Sequence, residues 1–209
     1  MFAESWQDSQ FWYSDQTATI LAEQLLEGIT SDSRIAVVSA PSAYVQLRNL
    51  LVSLCSLRGG KRLIVVQNDK ERYPVRPKLT LFEIDERFEV FKDDFVMYDF
   101  KNPLKFDDPG TLKGAFDRII CDPPFLSEDC QSKVRWLARQ WQAPQAGSEG
   151  STKLILCTGE RMESLAHKLY GKAGLQTTTF LPEHTKGLSN EFRCYANFEC
   201  DGWKWTANA

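Results

Sequence analysis

The chain contains no GxGxxG run, so a pyrophosphate held by close backbone approach is not expected. It has no CxxC pair among its six cysteines (Cys55, Cys121, Cys130, Cys157, Cys194 and Cys200) and only two histidines, His167 and His184. Buried free thiols in a reducing compartment are the expectation, and no metal site is expected. A basic excess is also missing: 25 Lys and Arg face 28 Asp and Glu, net −3. That balance argues against a chain that grips a nucleic-acid backbone. No stretch approaches the ~20 apolar residues of a membrane span. The N-terminus shows no basic-then-apolar signal pattern. The expectation is a cytoplasmic, monomeric enzyme or binding domain, with one domain over residues 1–209 and neither membrane nor nucleic acid as partner.

What is present is a packed core written as alternating elements. The chain is 43% hydrophobic and 12% aromatic. Residues 15–27 carry Ile20, Leu21, Leu25 and Leu26 at helical spacing, with Ser14 or Asp15 as cap and Gly28 at the end. Arg34–Ser39 reads as a buried strand. A helix from Pro41 or Ser42 to about Leu57 follows, with Tyr44, Leu47, Leu50 and Leu51 on one face. Residues 58–78 read as an irregular insertion holding a short apolar stretch, Leu63–Val66. Further strands are expected at Leu79–Ile84, Phe95–Tyr98, Phe116–Cys121 and Lys153–Cys157, with a helical turn at Glu86–Val90. Helices are expected at Ser127–Trp141 and Gly159–Tyr170, the latter closed by Gly171. Residues 143–151 read as a linker, and Gln176–Leu181 with Glu191–Glu199 as a final strand pair. Strands alternating with helices give an α/β fold: a three-layer sandwich around a seven-strand, mostly parallel sheet.

In such a sheet, ligands bind outside the carboxyl ends of the strands. The most informative residues fall there. Asp122-Pro123-Pro124-Phe125 ends an apolar strand, where two prolines forbid further pairing. A carboxylate, rigidly held carbonyls and an aromatic face suit an amino group held by its N–H bonds. An ordinary strand-ending turn is the competing reading. Ser39, Ala40 and Pro41 follow the first strand, Glu83 or Asp85 the second, and Asp99 the third. A carboxylate after the second strand suits ribose hydroxyls; capping of the next element is the alternative. With no phosphate cradle, a nucleoside cofactor without phosphates fits, and S-adenosylmethionine is such a molecule.

These residues carry a resemblance. The tetrapeptide is the (D/N/S)-P-P-(Y/F/W) motif of amino-group methyltransferases on the class I, Rossmann-like fold. Its companions are Gln10-Phe11-Trp12-Tyr13-Ser14, Val38-Ser39-Ala40-Pro41-Ser42, Phe82-Glu83-Ile84-Asp85-Glu86-Arg87-Phe88, Leu156-Cys157-Thr158-Gly159 and Asn190-Glu191-Phe192-Arg193-Cys194-Tyr195. Together, over about residues 5–200, they resemble the eukaryotic elongation factor 1-alpha lysine methyltransferase family, once described as N6-adenine DNA methyltransferases. Residues 58–78 and the stretch around 143–150 depart from that pattern. The family is expected to carry a longer N-terminal segment than this chain, whose absence would bear on cofactor closure or docking.

The resemblance implies an S-adenosylmethionine-dependent lysine N-methyltransferase acting on elongation factor 1-alpha. Asp122, Pro123, Pro124 and Phe125 would line the target-amine pocket. Ser39, Ala40 and Pro41 would line the methionine side of the cofactor, Glu83 or Asp85 its ribose, and Asp99 its adenine. Phe11, Trp12 and Tyr13, with Thr17, would cover the cofactor from the N-terminal side; a staple fixing the first helix to the sheet is the alternative. Glu191 and Arg193 read as edge-strand charges, with substrate contact as the alternative, and His184 as a loop residue, with a place at the pocket border as the alternative. Two rival functions remain open: an adenine N6-methyltransferase acting on nucleic acid, and a cofactor-binding domain without turnover.

Overall fold

The computed structural model describes residues 11–51, 73–106, 110–141, 152–187 and 191–206. The stretch 58–72, with Leu63–Val66, and the linker expected over 143–151 lie outside the described residues, as does any continuation of the second helix past Leu51.

Seven strands form one sheet: β1 (Arg34–Val38), β2 (Lys78–Glu83), β3 (Phe95–Met97), β4 (Arg118–Cys121), β5 (Lys153–Gly159), β6 (Gln176–Thr177) and β7 (Phe192–Ala196). Their order is β3-β2-β1-β4-β5-β7-β6. The pairings among β1 to β5 are parallel, and β7 runs antiparallel to both β5 and β6. Among the described residues, four helices cover the faces: α1 (Asp15–Leu26), α2 (Pro41–Leu51), α3 (Glu128–Trp141) and α4 (Glu163–Tyr170).

The alternation along each strand sorts its side chains into two cores. Ile35, Val37, Leu81, Ile120, Ile155 and Cys157 pack with Leu21 and Leu25 of α1 and Tyr44 and Leu47 of α2. Ala36, Val38, Phe82, Ile119, Leu154 and Leu156 pack on the other face with Val134 of α3 and Ala166 and Tyr170 of α4. Both faces being covered explains why the central strands read as continuous apolar runs. Each fully buried aliphatic side chain contributes about 1.5–3 kcal/mol of burial. The result is the expected three-layer sandwich.

Several boundaries differ from expectation. β1 ends at Val38 because Ser39 takes φ 53 and turns the chain off the sheet. β4 starts at Arg118 because the chain bends at Asp117: its carboxylate accepts from Arg34 N at 2.6 Å, while its backbone still bonds Arg34 O and Lys153 N. The expected turn at Glu86–Val90 extends as 3₁₀ structure to Asp94. Gly159 belongs to β5, and a 3₁₀ turn over Glu160–Met162 precedes α4. Gly171 caps α4 as expected, its N–H donating to His167 O; a separate 3₁₀ turn then runs to Ala173, and Gly174, at φ 80, ends it. β6 is two residues rather than six. Thr178 bridges to Trp205 instead, and Thr179 N donates to Lys204 O at 2.8 Å, so the C-terminal segment takes over the pairing.

Candidate active site

The strand order reverses between β1 and β4, so the crevice of the sheet opens there. Register makes the site level. Val38 pairs with Phe82 on one side and Cys121 on the other, and Cys121 pairs with Leu156. The next residues, Glu83, Ser39, Asp122 and Cys157, therefore share one row at the carboxyl edge. Asp122 N donates to Val38 O at 3.0 Å and Ser39 N to Phe82 O at 2.9 Å, which ties the row together.

Asp122 is half-buried, Pro123 buried and Pro124 half-buried, while Phe125 is 39% exposed. The prolines end β4 and lift the chain over the edge. Phe125 leans on Phe100, with ring centroids 5.2 Å apart. Behind this corner, Gln131 of α3 is fully buried and donates to Thr158 Oγ1 at 2.8 Å. Leu126 fills the space over Gly159: a Cβ there would fall 2.7 Å from Leu126 Cδ1.

The N-terminal segment meets this row. Ser14 caps α1, accepting from Thr17 N at 3.2 Å. That places Tyr13, 2% exposed, just ahead of the helix with its hydroxyl donating to Asp122 Oδ2 at 2.6 Å. Tyr13 is also strapped to the loop before β7. It bridges His184; Ser14 N donates to Glu183 O at 2.8 Å, Thr185 N to Trp12 O at 2.9 Å, and Glu183 N to Thr17 Oγ1 at 3.0 Å. The Tyr13 ring lies 5.1 Å from that of His184, which lies 4.7 Å from Phe192. Trp12 packs partly buried against the α1–α2 core.

Electrostatics single out Asp122. Burial pushes its carboxyl up to about 7; the Tyr13 hydrogen bond pulls it down and the charge of Glu83 pushes it up. Tyr13 is raised well above the usual phenol range by burial and then by Asp122. Perturbation of this kind is common at functional clefts.

The other sequence candidates separate. Glu83 is 4% exposed and sits in the row; Ala40 and Pro41 are buried beside it at the start of α2. Asp85 is 8% exposed but caps the following 3₁₀ segment: Oδ1 accepts from Arg87 N at 3.0 Å, and the carboxylate pairs with the Arg87 guanidinium. Asp99 closes a turn, accepting from Lys101 N at 2.9 Å and Asn102 Nδ2 at 3.0 Å. It lines a cleft of about 740 Å³ with Asn102, Lys105, Phe106 and Thr111. Arg193 pairs with Glu160 across β5 and β7. A hydrogen bond from Glu191, then Arg193, holds the Glu160 carboxyl low, and the same bond raises Glu191.

Sequence reading missed Gln131 and the contacts of Glu183 and Thr185 as supports of the site, and met Thr158 only inside a companion motif. Their contacts span the sheet and leave no local pattern.

Sheet order and site position together define the class I, Rossmann-like methyltransferase fold. The chain belongs to the family described as probable N6-adenine methyltransferase, whose family model matches residues 4–200. It is 44% identical over 214 residues to protein-lysine N-methyltransferase EFM5 of Saccharomyces cerevisiae, covering 99% of this chain and 77% of that one. It is 38% identical to human EEF1A lysine methyltransferase 1, covering 94% and 76%, and 41% identical to the Danio rerio protein of that name, covering 91% and 96%.

Proposed function

We propose that this chain is an S-adenosylmethionine-dependent protein-lysine N-methyltransferase whose acceptor is translation elongation factor 1-alpha. The observation that carries the reading is the Asp122 corner at the reversal point of the sheet, level with Glu83 and beside Phe125. The names of its relatives supply the acceptor. A cytoplasmic location follows from that acceptor.

The donor set fits the cofactor. A buried carboxylate at the end of β2, Glu83, is an acceptor suited to two ribose hydroxyls. Asp85 caps the next 3₁₀ segment and pairs with Arg87, while Glu83 lies in the row with Asp122, and that position supports Glu83 for the ribose. Ser39, with its left-handed backbone, turns the chain away and leaves Ala40 and Pro41 as a wall for the amino-acid end. Asp99 and the edge of its cleft would face the adenine. When bound, S-adenosylmethionine supplies an electrophilic methyl group on a sulfonium.

The chain's residues then act on the lysine. A free lysine has pKa ≈ 10.4, so burial must favour its neutral form. Asp122 Oδ1 and the Pro123 carbonyl accept N–H bonds from the amine and aim its lone pair, a positioning effect. Phe125 packs along the stem and turns its π face to the nitrogen as positive charge develops. The Phe100 ring backs Phe125 at that mouth. The proton leaves to water before attack.

The test is a whole-cell lysate incubated with methyl-labelled cofactor and the purified chain, then split into protease-treated and nuclease-treated halves. Label that survives nuclease and migrates with elongation factor 1-alpha is the expected result. Label that survives protease instead would transfer the site to a flipped base stacked on Phe125.

A further inference from the structure

We propose that Tyr13 is a positioning residue for Asp122: its hydroxyl takes one carboxylate oxygen, fixes the plane of the carboxylate and leaves the other oxygen for the target amine. The inference rests on the lysine methyl-transfer reading and changes the part Tyr13 plays in it, from cover over the cofactor to support of the amine site.

The geometry is specific. Tyr13 and Asp122 are 109 positions apart, yet the O–H···O contact is 2.6 Å, the length of a charge-assisted bond. Tyr13 cannot drift to follow the carboxylate. Its N donates to Ser42 Oγ of α2 at 3.2 Å, its carbonyl accepts from Thr185 Oγ1 at 3.0 Å, and its ring rests on His184. Helix α2 and the 183–185 loop thus present one hydroxyl to one oxygen. An Asp at a strand end otherwise has a broad terminal torsion, and a carboxylate rotated by tens of degrees no longer aims an amine.

The hydroxyl also governs charge. The titratable groups facing Asp122 are Glu83 on β2, Cys121 on its own strand, Cys157 on β5, Cys130 on α3 and Tyr13 itself. The thiols bring no positive charge, and Glu83 opposes ionisation. Of these groups, Tyr13 is the one that donates to the carboxylate and favours its ionised form.

Tyr13→Phe keeps the ring and its packing while removing the hydroxyl. The expected result is a fall in kcat of about tenfold or more with cofactor Kd within about threefold, because positioning and not cofactor binding is lost. The acid limb of the kcat profile moves to higher pH by about one unit, since the ionised form loses its donor. The carbon-13 titration of the Asp122 carboxyl, taken on the protein without acceptor, moves the same way. Tyr13→3-fluorotyrosine, a stronger donor of nearly the same shape, moves that titration down and serves if the phenylalanine variant does not fold. An unmoved Asp122 titration in the variants overturns the proposal, as does a loss confined to cofactor affinity. The carboxyl titration needs no substrate, so a wild-type chain inactive on elongation factor would overturn the proposed function alone.

Discussion

At the scale of single residues, folding holds a carboxylate where its charge is disfavoured. Asp122 is pushed up to about 7 in the folded chain, against about 3.9 for an unperturbed Asp. Between those values the folded state keeps a proton that the unfolded state has lost. Stability therefore falls as pH rises from about 4 to about 7, then levels off. Asp122→Asn does not titrate. Thermal melts should show the variant gaining on the wild type across that window and above it at pH 8, with no such gain at pH 4. The same variant should lose methyl transfer by roughly 100-fold, because an amide presents a donor where the amine needs an acceptor. A second residue pair separates cofactor holding from capping. Glu83→Gln should weaken S-adenosylmethionine binding by about tenfold in calorimetric titration, the worth of one charge-assisted bond. Asp85→Ala should leave that affinity alone and lower stability by about 1 kcal/mol, the usual worth of a lost cap.

At the scale of elements, the strap from Trp12 to Thr17 is tied to the loop over 183–185. Three hydrogen bonds donated by backbone amides cross between them, from Ser14, Glu183 and Thr185, the second onto the Thr17 hydroxyl. Thr17→Val removes the acceptor of one and should cost about 1 kcal/mol. Hydrogen exchange should then quicken at all three amides together; quickening at Glu183 alone would mean the strap does not act cooperatively. Gly159 holds the other side. Gly159→Ala drives a Cβ into Leu126, next to Phe125, and should lower methyl transfer with the fold retained in circular dichroism.

The elements also show what a sequence carries and what it hides. Arg34–Val38, Lys78–Glu83 and Lys153–Gly159 were readable because strands buried on both faces become apolar runs. The Asp122 tetrapeptide was readable because two prolines after such a run must break the ladder and leave a fixed corner at the sheet edge. The two-residue β6 was hidden, because its length depends on competition from residues 203–206. The bond from Tyr13 to Asp122 was hidden too. The sequence showed an aromatic segment before a helix, and only the fold shows where the hydroxyl goes. Glu83 and Asp85 read alike in sequence; the fold sets Glu83 in the row with Asp122 and Asp85 at a cap gripped by Arg87.

At the scale of the whole molecule, the sheet brings residues from positions 13, 39, 83 and 122 to one edge, so the site exists only when the fold does. The net charge of −3 shows no overall basic excess. The most direct test is intact-mass and peptide mapping of purified elongation factor 1-alpha after incubation with S-adenosylmethionine and either wild-type chain or Asp122→Asn. The account predicts methyl groups on a lysine with the wild type and almost none with the folded variant. Equal methylation by both, or no methyl-lysine with the wild type at any acceptor concentration, would contradict it.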